Sequence, residues 1–136
     1  MVGAVKLTGI VATNATAFTR EGLKSPAGRE PGGLSGRPIT KIVTSFVSHI
    51  FQVTQGRLPI IGVGGIFNAE DAYDKIKAGA SAVQIYTGWV YEGPGAVKRI
   101  NRGLLRLFER DGLKHLSEAV GMESRSTNQA GSFNRA

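Results

Sequence analysis

Two short apolar segments, each ending in glycine or small polar residues, constrain the fold of this chain more than any other feature. Residues 58–66 read Leu-Pro-Ile-Ile-Gly-Val-Gly-Gly-Ile, and residues 82–88 read Ala-Val-Gln-Ile-Tyr-Thr-Gly. Each segment predicts a buried strand, which in the second case covers residues 82–86, and the stretch between them predicts a compact helix. The pair is typical of two consecutive β-α units of a parallel sheet.

The residues before this pair predict one more strand and helix. Residues 5–12 are apolar and β-branched, as in a buried strand, and a long Gly/Pro/Ser-rich loop follows over residues 20–38. Loops of this length within a compact domain are usually functional or disordered. Apolar residues at three-to-four spacing from residue 42 to residue 51 then predict an amphipathic helix that ends near Gly56.

Three helical segments are predicted after Gly64 and Gly65. Asn68 is suited to be the N-cap of a helix over residues 69–78, because Glu70 and Asp71 follow in its first turn, where negative charge is favoured. A turn is predicted over residues 91–95, and apolar spacing predicts a long helix from Val97 to about Arg110. A short helical piece is expected at residues 116–120.

This order of elements predicts an α/β fold with a parallel sheet and helices on its outside. Three strands cannot close a barrel, so two architectures stay open: a small open sheet, or the last three β-α units of a (β/α)8 TIM barrel, which needs roughly 250 residues. The chain has 136 residues and runs almost at once into a strand, which suggests that an amino-terminal part is missing. We expect one domain over residues 1–121 and a disordered polar tail over residues 122–136.

Composition excludes several classes of function. The absence of cysteine rules out disulfides and thiolate chemistry, and there is no apolar run long enough for a membrane span and no secretory signal. The net charge is +7, yet no run of five like charges occurs and no aromatic residues interleave with the basic ones, so nucleic-acid binding ranks last. One helix carries a basic face that we expect to be solvated, with a basic partner-binding surface as the alternative; it comprises Lys98, Arg99, Arg102, Arg106, Arg110 and Lys114.

The three predicted strand ends carry the residues best suited to chemistry. In a parallel α/β arrangement these ends share one rim, where ligands bind, and a barrel phosphate commonly binds beside the last two strands. Glycine lets the backbone approach a ligand closely, hydroxyls suit phosphate oxygens, and an asparagine amide suits a carboxylate or an amide edge. The residues concerned are Thr13, Asn14, Gly64, Gly65, Tyr86, Thr87 and Gly88.

Plainer interpretations exist for most of these residues. The glycine turn could be purely structural and does not match the Rossmann spacing, and Asn14 could simply cap a turn. His49 and His115 are expected away from the rim, as surface or core histidines, and Trp89 and Tyr91 are expected to pack. No Ser/His/Asp set, paired carboxylates or metal-ligand cluster is visible in the sequence.

Six motifs in this order closely resemble the carboxy-terminal part of class 2, quinone-dependent dihydroorotate dehydrogenases, over about residues 4–121. Four are Ala-Thr-Asn-Ala-Thr, Gly-Leu-Ser-Gly-Arg-Pro, Gly-Arg-Leu-Pro-Ile-Ile-Gly-Val-Gly-Gly and Ala-Gly-Ala-Ser-Ala-Val-Gln-Ile-Tyr-Thr-Gly. Tyr-Glu-Gly-Pro and Glu-Ala-Val-Gly complete the set. The motifs Leu-Ser-Gly-Arg-Pro and Tyr-Thr-Gly argue against a class 1 enzyme or a dihydropyrimidine dehydrogenase.

The resemblance implies an FMN-dependent TIM barrel that oxidises dihydroorotate to orotate in pyrimidine (UMP) biosynthesis and passes electrons to a quinone. It implies no metal. The usual family threonine is replaced here by Ala15, which removes a side-chain hydrogen bond to substrate. The implied cofactor-binding residues are Thr13, Gly36, Gly65, Tyr86 and Thr87, and the implied substrate-binding residues are Asn14 and Ala15.

The resemblance also implies what these residues do not supply. The family's catalytic serine, which takes a proton from C5 while hydride passes from C6 to the flavin, has no counterpart here, so we expect this chain alone to be inactive. Membrane association, at a bacterial cell membrane on its cytoplasmic face or at the mitochondrial inner membrane, would come through the amino-terminal part of the intact enzyme, and the fragment itself would be soluble. The alternative from a different class is a non-catalytic phosphate- or nucleotide-binding α/β module.

Overall fold

A three-stranded parallel sheet forms the centre of the computed structural model, which describes residues 7–16 and 23–125. The strands are β1 (Ile10–Ala12), β2 (Ile60–Val63) and β3 (Ala82–Gln84), in the order β1-β2-β3. Ile10 lies opposite Ile60, and Ile61 lies opposite Ala82, so the strands run side by side with their carboxyl ends at one edge. The predicted α/β fold with a parallel sheet is confirmed.

In the described residues, five named helices connect or follow these strands. α1 and α2 lie between strands and confirm the helices predicted there, and α4 matches the long helix predicted after the last strand. Two short 3₁₀ turns, Pro26–Arg29 and Arg37–Ile39, lie in the loop before α1. The helices are α1 (Thr40–Thr54), α2 (Ala69–Ala78), α3 (Thr87–Glu92), α4 (Ala96–Arg110) and α5 (Leu116–Ala119). None in the described part of the chain is long and apolar enough to cross a bilayer.

The sequence begins α2 as predicted. Asn68 is its N-cap, and its side-chain oxygen accepts the N–H of Asp71 at 2.7 Å. Asp71 in turn accepts the N–H of Phe67 at 2.9 Å, so two N–H groups at the helix start are satisfied by side chains. Gly79 follows the last residue with a φ of 131° and ends the helix.

Helices cover only one face of the sheet. Ala12 and Ile60 point to that face and are buried, whereas Val11 and Ile61 on the other face are 56% and 38% exposed. The near-continuous apolar strands predicted a parallel sheet with helices on its outside, which is the covered face. In the described residues the second face, which continues at Ala82, has no covering element.

The ring of Phe51, near the end of α1, is the point where three backbone segments meet. Gly56, Gly79 and Gly121 all lie against this side chain, and a Cβ added at Gly79 would lie 2.5 Å from both Cβ and Cγ of Phe51. The same ring contributes to the cluster that includes Val47 and Ile60. Small residues at these three positions therefore let the chain close around one aromatic side chain.

Three predicted boundaries were wrong. β3 ends at Gln84, not at Tyr86, and residues 87–92 form α3 where a turn had been predicted from residue 91. Gly93, with a φ of 74°, ends α3. The turn had been predicted from the glycine and proline residues at this helix end. The first strand is also shorter than predicted, since residues 7–9 are not in it and residues 5–6 lie outside the described part.

The start of the predicted tail packs onto the domain. Residues 122–125 are helical, and Ser124 is buried. Its hydroxyl donates to the Ala78 carbonyl at 2.9 Å, which leaves Ser48, 2.7 Å away, as the donor to Ser124. The prediction of disorder over residues 126–136 lies outside the described residues.

The basic face of α4 lies on the outside of the molecule. Lys98, Arg102 and Arg106 are exposed, whereas Ile100 and Leu107 on the opposite side are buried. This arrangement agrees with a solvated outer helix face.

Gly121→Ala should destabilise the fold clearly more than Gly112→Ala. Both glycines have positive φ, 71° and 70°, so both substitutions carry the same backbone cost of about 1 kcal/mol. The Gly121 substitution also drives a Cβ into Phe51, a clash that costs about 1–3 kcal/mol more, whereas Gly112 has open space around it. Urea unfolding measures the difference, and equal losses for the two variants would contradict the packing around Phe51.

Candidate functional site

The carboxyl ends of the three strands surround a cavity of about 200 Å³. The parallel register dictates this convergence, because each strand delivers the loop that follows it to the same edge of the sheet. All of the residues predicted to bind cofactor or substrate line this cavity: Thr13, Asn14, Ala15, Gly36, Gly65, Tyr86 and Thr87.

The Gly64–Gly65 turn forms one side of the cavity and rests directly on the start of α1. Gly64 and Gly65 have φ values of 117° and 68°, which side chains rarely adopt. A Cβ on Gly65 would collide with the Thr40 hydroxyl and lie 2.7 Å from the Thr40 nitrogen. Glycine is thus required here for packing, whatever binds in the cavity. This turn therefore has the structural role that the plainer interpretation gave it.

Ser35 and Gly36 close a second side of the cavity against Thr87. The Ser35 and Thr87 hydroxyl oxygens are 3.0 Å apart and share a hydrogen bond. Gly36, with a φ of 82°, allows the same approach, since a Cβ there would lie 3.0 Å from the Thr87 methyl group. The loop before α1 and the first residue of α3 therefore form one continuous wall.

The start of α3 also packs on the segment after β2. A Cβ at Gly88 would overlap the Ile66 carbonyl oxygen, so only glycine permits this approach. The side chain of Tyr86, the N-cap residue, makes no capping hydrogen bond, and the first N–H groups of a helix have no carbonyl partner within it. Backbone donors are therefore concentrated at this end of β3.

The loop after β1 supplies the third side of the cavity. The N–H of Thr13 donates to the Val63 carbonyl at 3.1 Å and extends the sheet pairing beyond the strand. The side-chain oxygen of Asn14 accepts the N–H of the next residue, Ala15, at 2.8 Å, which holds the side chain locally but does not cap a turn as the plainer interpretation had it. Its amide nitrogen remains as a donor toward a ligand.

The polar groups of the lining suit an anionic ligand. Among the described residues that line the cavity, none carries a carboxylate, and the polar groups are hydroxyls, amides and glycine backbone beside apolar side chains that make up most of the lining. Oriented N–H groups and hydroxyls without competing negative charge are the usual donors to phosphate oxygens. No group of three or more acidic or histidine side chains in residues 7–16 and 23–125 could hold a metal ion.

Sequence reasoning missed Ser35 and Gln84, which also line the cavity. The signal for Ser35 was its position beside Gly36 in a motif already noted, but its partner Thr87 is far away in sequence. The expectation that Trp89 and Tyr91 pack was too strong, since they are 47% and 78% exposed; the Tyr91 ring lies 6.4 Å from that of Phe67.

A larger and mainly apolar groove of about 660 Å³ runs from the loop after β1 along α1. Its walls include Asn14 together with Ile42 and Phe46, which are about half exposed. His49 also lines this groove, although it had been expected away from the strand ends. His115 is the exposed N-cap residue of α5.

A fully buried lysine lies behind the Gly64–Gly65 turn. Lys75 of α2 passes beside Gly62, and its ammonium group donates to the Thr44 hydroxyl at 3.1 Å and lies 3.5 Å from the Thr40 carbonyl. Burial lowers the pKa of Lys75 from 10.5 to about 8, although the charges of Asp71 and Asp74 oppose this shift.

The chain is similar to known proteins over nearly its whole length. A family model described as "Dihydroorotate dehydrogenase" matches residues 1–108. Proteins named dihydroorotate dehydrogenase (quinone) from Crocosphaera subtropica and Nostoc punctiforme are 52% and 51% identical over alignments of 129 and 128 positions, and the alignments cover 89% and 88% of this chain. The matched part is 34% of each relative, so the chain spans about a third of the length of these curated relatives.

Solved structures agree with the sequence relatives. DHODH from Eimeria tenella in complex with ferulenol superposes with a TM-score of 0.82 at 40% identity, over 85% of this chain and 31% of that chain. The ligand-free form gives 0.83 at 40% identity, over 86% and 32%. DHODH is a TIM-barrel enzyme, and the three-stranded sheet described above is an incomplete barrel of that kind.

Lys75→Met should remove a rise in stability at alkaline pH. Between about pH 8 and pH 10.5 the unfolded wild-type chain binds a proton at Lys75 that the folded chain does not, so the free energy of unfolding increases with pH. Relative to Lys75→Met, this gain amounts to roughly 3 kcal/mol across the window and is absent below pH 8. Urea unfolding across that pH range measures it, and parallel profiles for the two proteins would contradict a neutral buried lysine.

Proposed function

Because the chain belongs to the dihydroorotate dehydrogenase family, we propose that it is the carboxy-terminal part of the FMN-binding barrel of a quinone-dependent dihydroorotate dehydrogenase. The observation that carries the proposal is the single cavity at the strand ends, which is lined by all seven residues that the family resemblance assigns to cofactor and substrate. These residues come from four segments of the chain that only the fold brings together.

The cavity fits the phosphate end of FMN. Gly65 and Gly36 bring backbone close to the cavity where a side chain would not fit. The Thr87 hydroxyl can donate to a phosphate or ribityl oxygen when it accepts its hydrogen bond from Ser35. The Thr13 hydroxyl donates to the Asn14 carbonyl at 3.0 Å, so toward a ligand its oxygen can only accept. The absence of carboxylates among the lining residues means that no fixed negative charge repels a phosphate. When bound, FMN supplies the acceptor for hydride in dihydroorotate oxidation.

Asn14 is the proposed substrate contact in this chain. Its side-chain oxygen is held by the Ala15 N–H, so its amide nitrogen is oriented as a donor for the carboxylate or ring carbonyl of orotate. Ala15 contributes backbone only, and its Cβ lies so close to Gly33 that a Cβ added at Gly33 would be 2.7 Å from it. Substrate would thus be held by fewer side-chain hydrogen bonds here than in family members with threonine.

The remaining parts of the activity are assigned to the rest of a full-length family member. The exposed side of the sheet, with Val11 and Ile61, would face the interior of a closed eight-stranded barrel. The general base, the quinone contacts and the membrane contact would come from segments other than these residues. General-base chemistry needs a group within hydrogen-bond reach, and the described lining of the cavity offers none suited to it.

The second candidate is a phosphate- or nucleotide-binding module without turnover. The observation that favours it is the same lining, which is rich in hydroxyl and backbone donors and poor in acid–base groups. The two candidates differ in whether the cavity accepts FMN and substrate together once the barrel is complete.

The purified chain should bind FMN, and Gly65→Ala should weaken this binding by about tenfold or more. The added Cβ pushes the turn away from Thr40 and displaces the donors at the cavity, which removes at least one charge-assisted hydrogen bond. Quenching of flavin fluorescence on titration gives the dissociation constant.

Gly93→Ala is the matched control for this titration, because Gly93 also has positive φ, 74°, but no atom within 4 Å of an added Cβ. It should bind FMN within about twofold of wild type. A chain that circular dichroism shows to be folded, but that leaves FMN fluorescence unquenched, would overturn the FMN assignment for the isolated chain.

A chimera tests the catalytic proposal. The amino-terminal two thirds of the Crocosphaera subtropica relative, fused to this chain at the matching position, should reduce a soluble quinone analogue when dihydroorotate is added. Asn14→Ala in the chimera should lower kcat/KM by at least about tenfold, since a donor to the substrate is lost. An FMN-loaded chimera with no dihydroorotate-dependent turnover would favour the binding module instead.

A further inference from the structure

Thr40, the first residue of α1, connects two walls of the cavity without lining it. Its hydroxyl oxygen lies 2.8 Å from the Gly65 carbonyl and 2.9 Å from the Arg37 carbonyl. Gly65 belongs to the turn after β2, and Arg37 follows Gly36 in the loop before α1. One side chain therefore contacts the backbone of both glycine segments that bring the chain close to the cavity.

The hydrogen-bonding capacity of these groups decides where the Thr40 proton goes. A hydroxyl has one hydrogen to donate, and the Arg37 carbonyl already accepts the backbone N–H of Thr40. The Gly65 carbonyl has no other donor among the hydrogen bonds described for it, so we assign the Thr40 hydroxyl proton to this carbonyl.

The first turn of α1 is itself held from behind. The Thr44 hydroxyl donates to the Thr40 carbonyl at 2.9 Å, and the buried ammonium group of Lys75 donates to the Thr44 hydroxyl oxygen at 3.1 Å. A charge-assisted donor inside the protein makes this connection stronger than a surface hydrogen bond. The hydrogen bonds therefore run from Lys75 in α2 through Thr44 to Thr40, and from Thr40 to Gly65.

We propose that Thr40 is a positioning residue for the ligand cavity: anchored through Thr44 and Lys75, it sets the position of the Gly64–Gly65 turn relative to the Gly36 loop. Thr40 acts through the glycine backbone and does not contact the ligand. The part of this inference that concerns FMN rests on the proposed function, whereas the part that concerns the turn does not.

Three variants test the proposal in the full chain. Thr40→Val keeps the shape and removes the hydroxyl, Thr40→Ser restores the hydroxyl, and Thr54→Val removes an equivalent hydroxyl at the far end of α1, where it bonds only carbonyls of its own helix. Thr40→Val should raise the dissociation constant for FMN about tenfold, while Thr40→Ser and Thr54→Val stay within about twofold of wild type. Thr40→Ala, expected to behave like Thr40→Val, replaces it if the valine variant does not fold.

Hydrogen–deuterium exchange on the ligand-free chain separates the two levels of the proposal. Peptides covering residues 64–67 should exchange faster in Thr40→Val than in wild type, and not in Thr54→Val or Thr40→Ser. If wild type binds no FMN, the proposed cofactor fails but exchange still decides the role of Thr40. Unchanged exchange in Thr40→Val would overturn the positioning role, and so would FMN binding as tight as in a wild type that does bind FMN.

Discussion

Parallel pairing of three short strands in one register is the constraint on which the rest of the structure depends. Each helix returns the chain to the start of the next strand, so every strand ends at the same edge of the sheet. Thr13, Gly65 and Thr87 meet at one cavity for this reason, although they are far apart in sequence. The strands are only three or four residues long, and the packing of α1 and α2 against one face fixes them.

Glycine and buried polar groups then set how closely these strand ends approach each other. Gly65 lies on the start of α1, and Gly88 lies on the segment after β2, in places where any side chain would collide with backbone. Lys75 brings a positive charge into the interior behind this edge, and a buried cation is tolerated because hydroxyl and carbonyl oxygens surround it. The donors at the cavity are therefore held by packing and hydrogen bonding of the scaffold itself.

The sequence was sufficient for the fold class and for the convergence of the predicted site residues, because apolar periodicity and glycine at strand ends are local signals. Asn68 could be assigned as an N-cap for the same reason. α3 was missed because Gly88 and the aromatic residues after it have weak helix propensity, so the packing of Gly88 on Ile66 decides the conformation.

Contacts between distant segments were beyond prediction. The Ser35–Thr87 hydrogen bond and the burial of Lys75 join residues that have no periodic relation in the chain. Sequence patterns also could not show that one face of the sheet is exposed, because the residues on that face, such as Val11 and Ile61, are apolar as well.

That exposed face has a thermodynamic consequence. Val11 and Ile61 remain 56% and 38% exposed in the folded state, so they lose less accessible surface on folding than the buried strand residues on the other face do. The heat capacity increment of unfolding scales with the surface newly exposed, and so does the slope of the free energy of unfolding against denaturant concentration. This chain should accordingly show a smaller increment and a shallower denaturant dependence per residue than a domain of its length with both sheet faces covered, and its stability should vary less with temperature around its maximum.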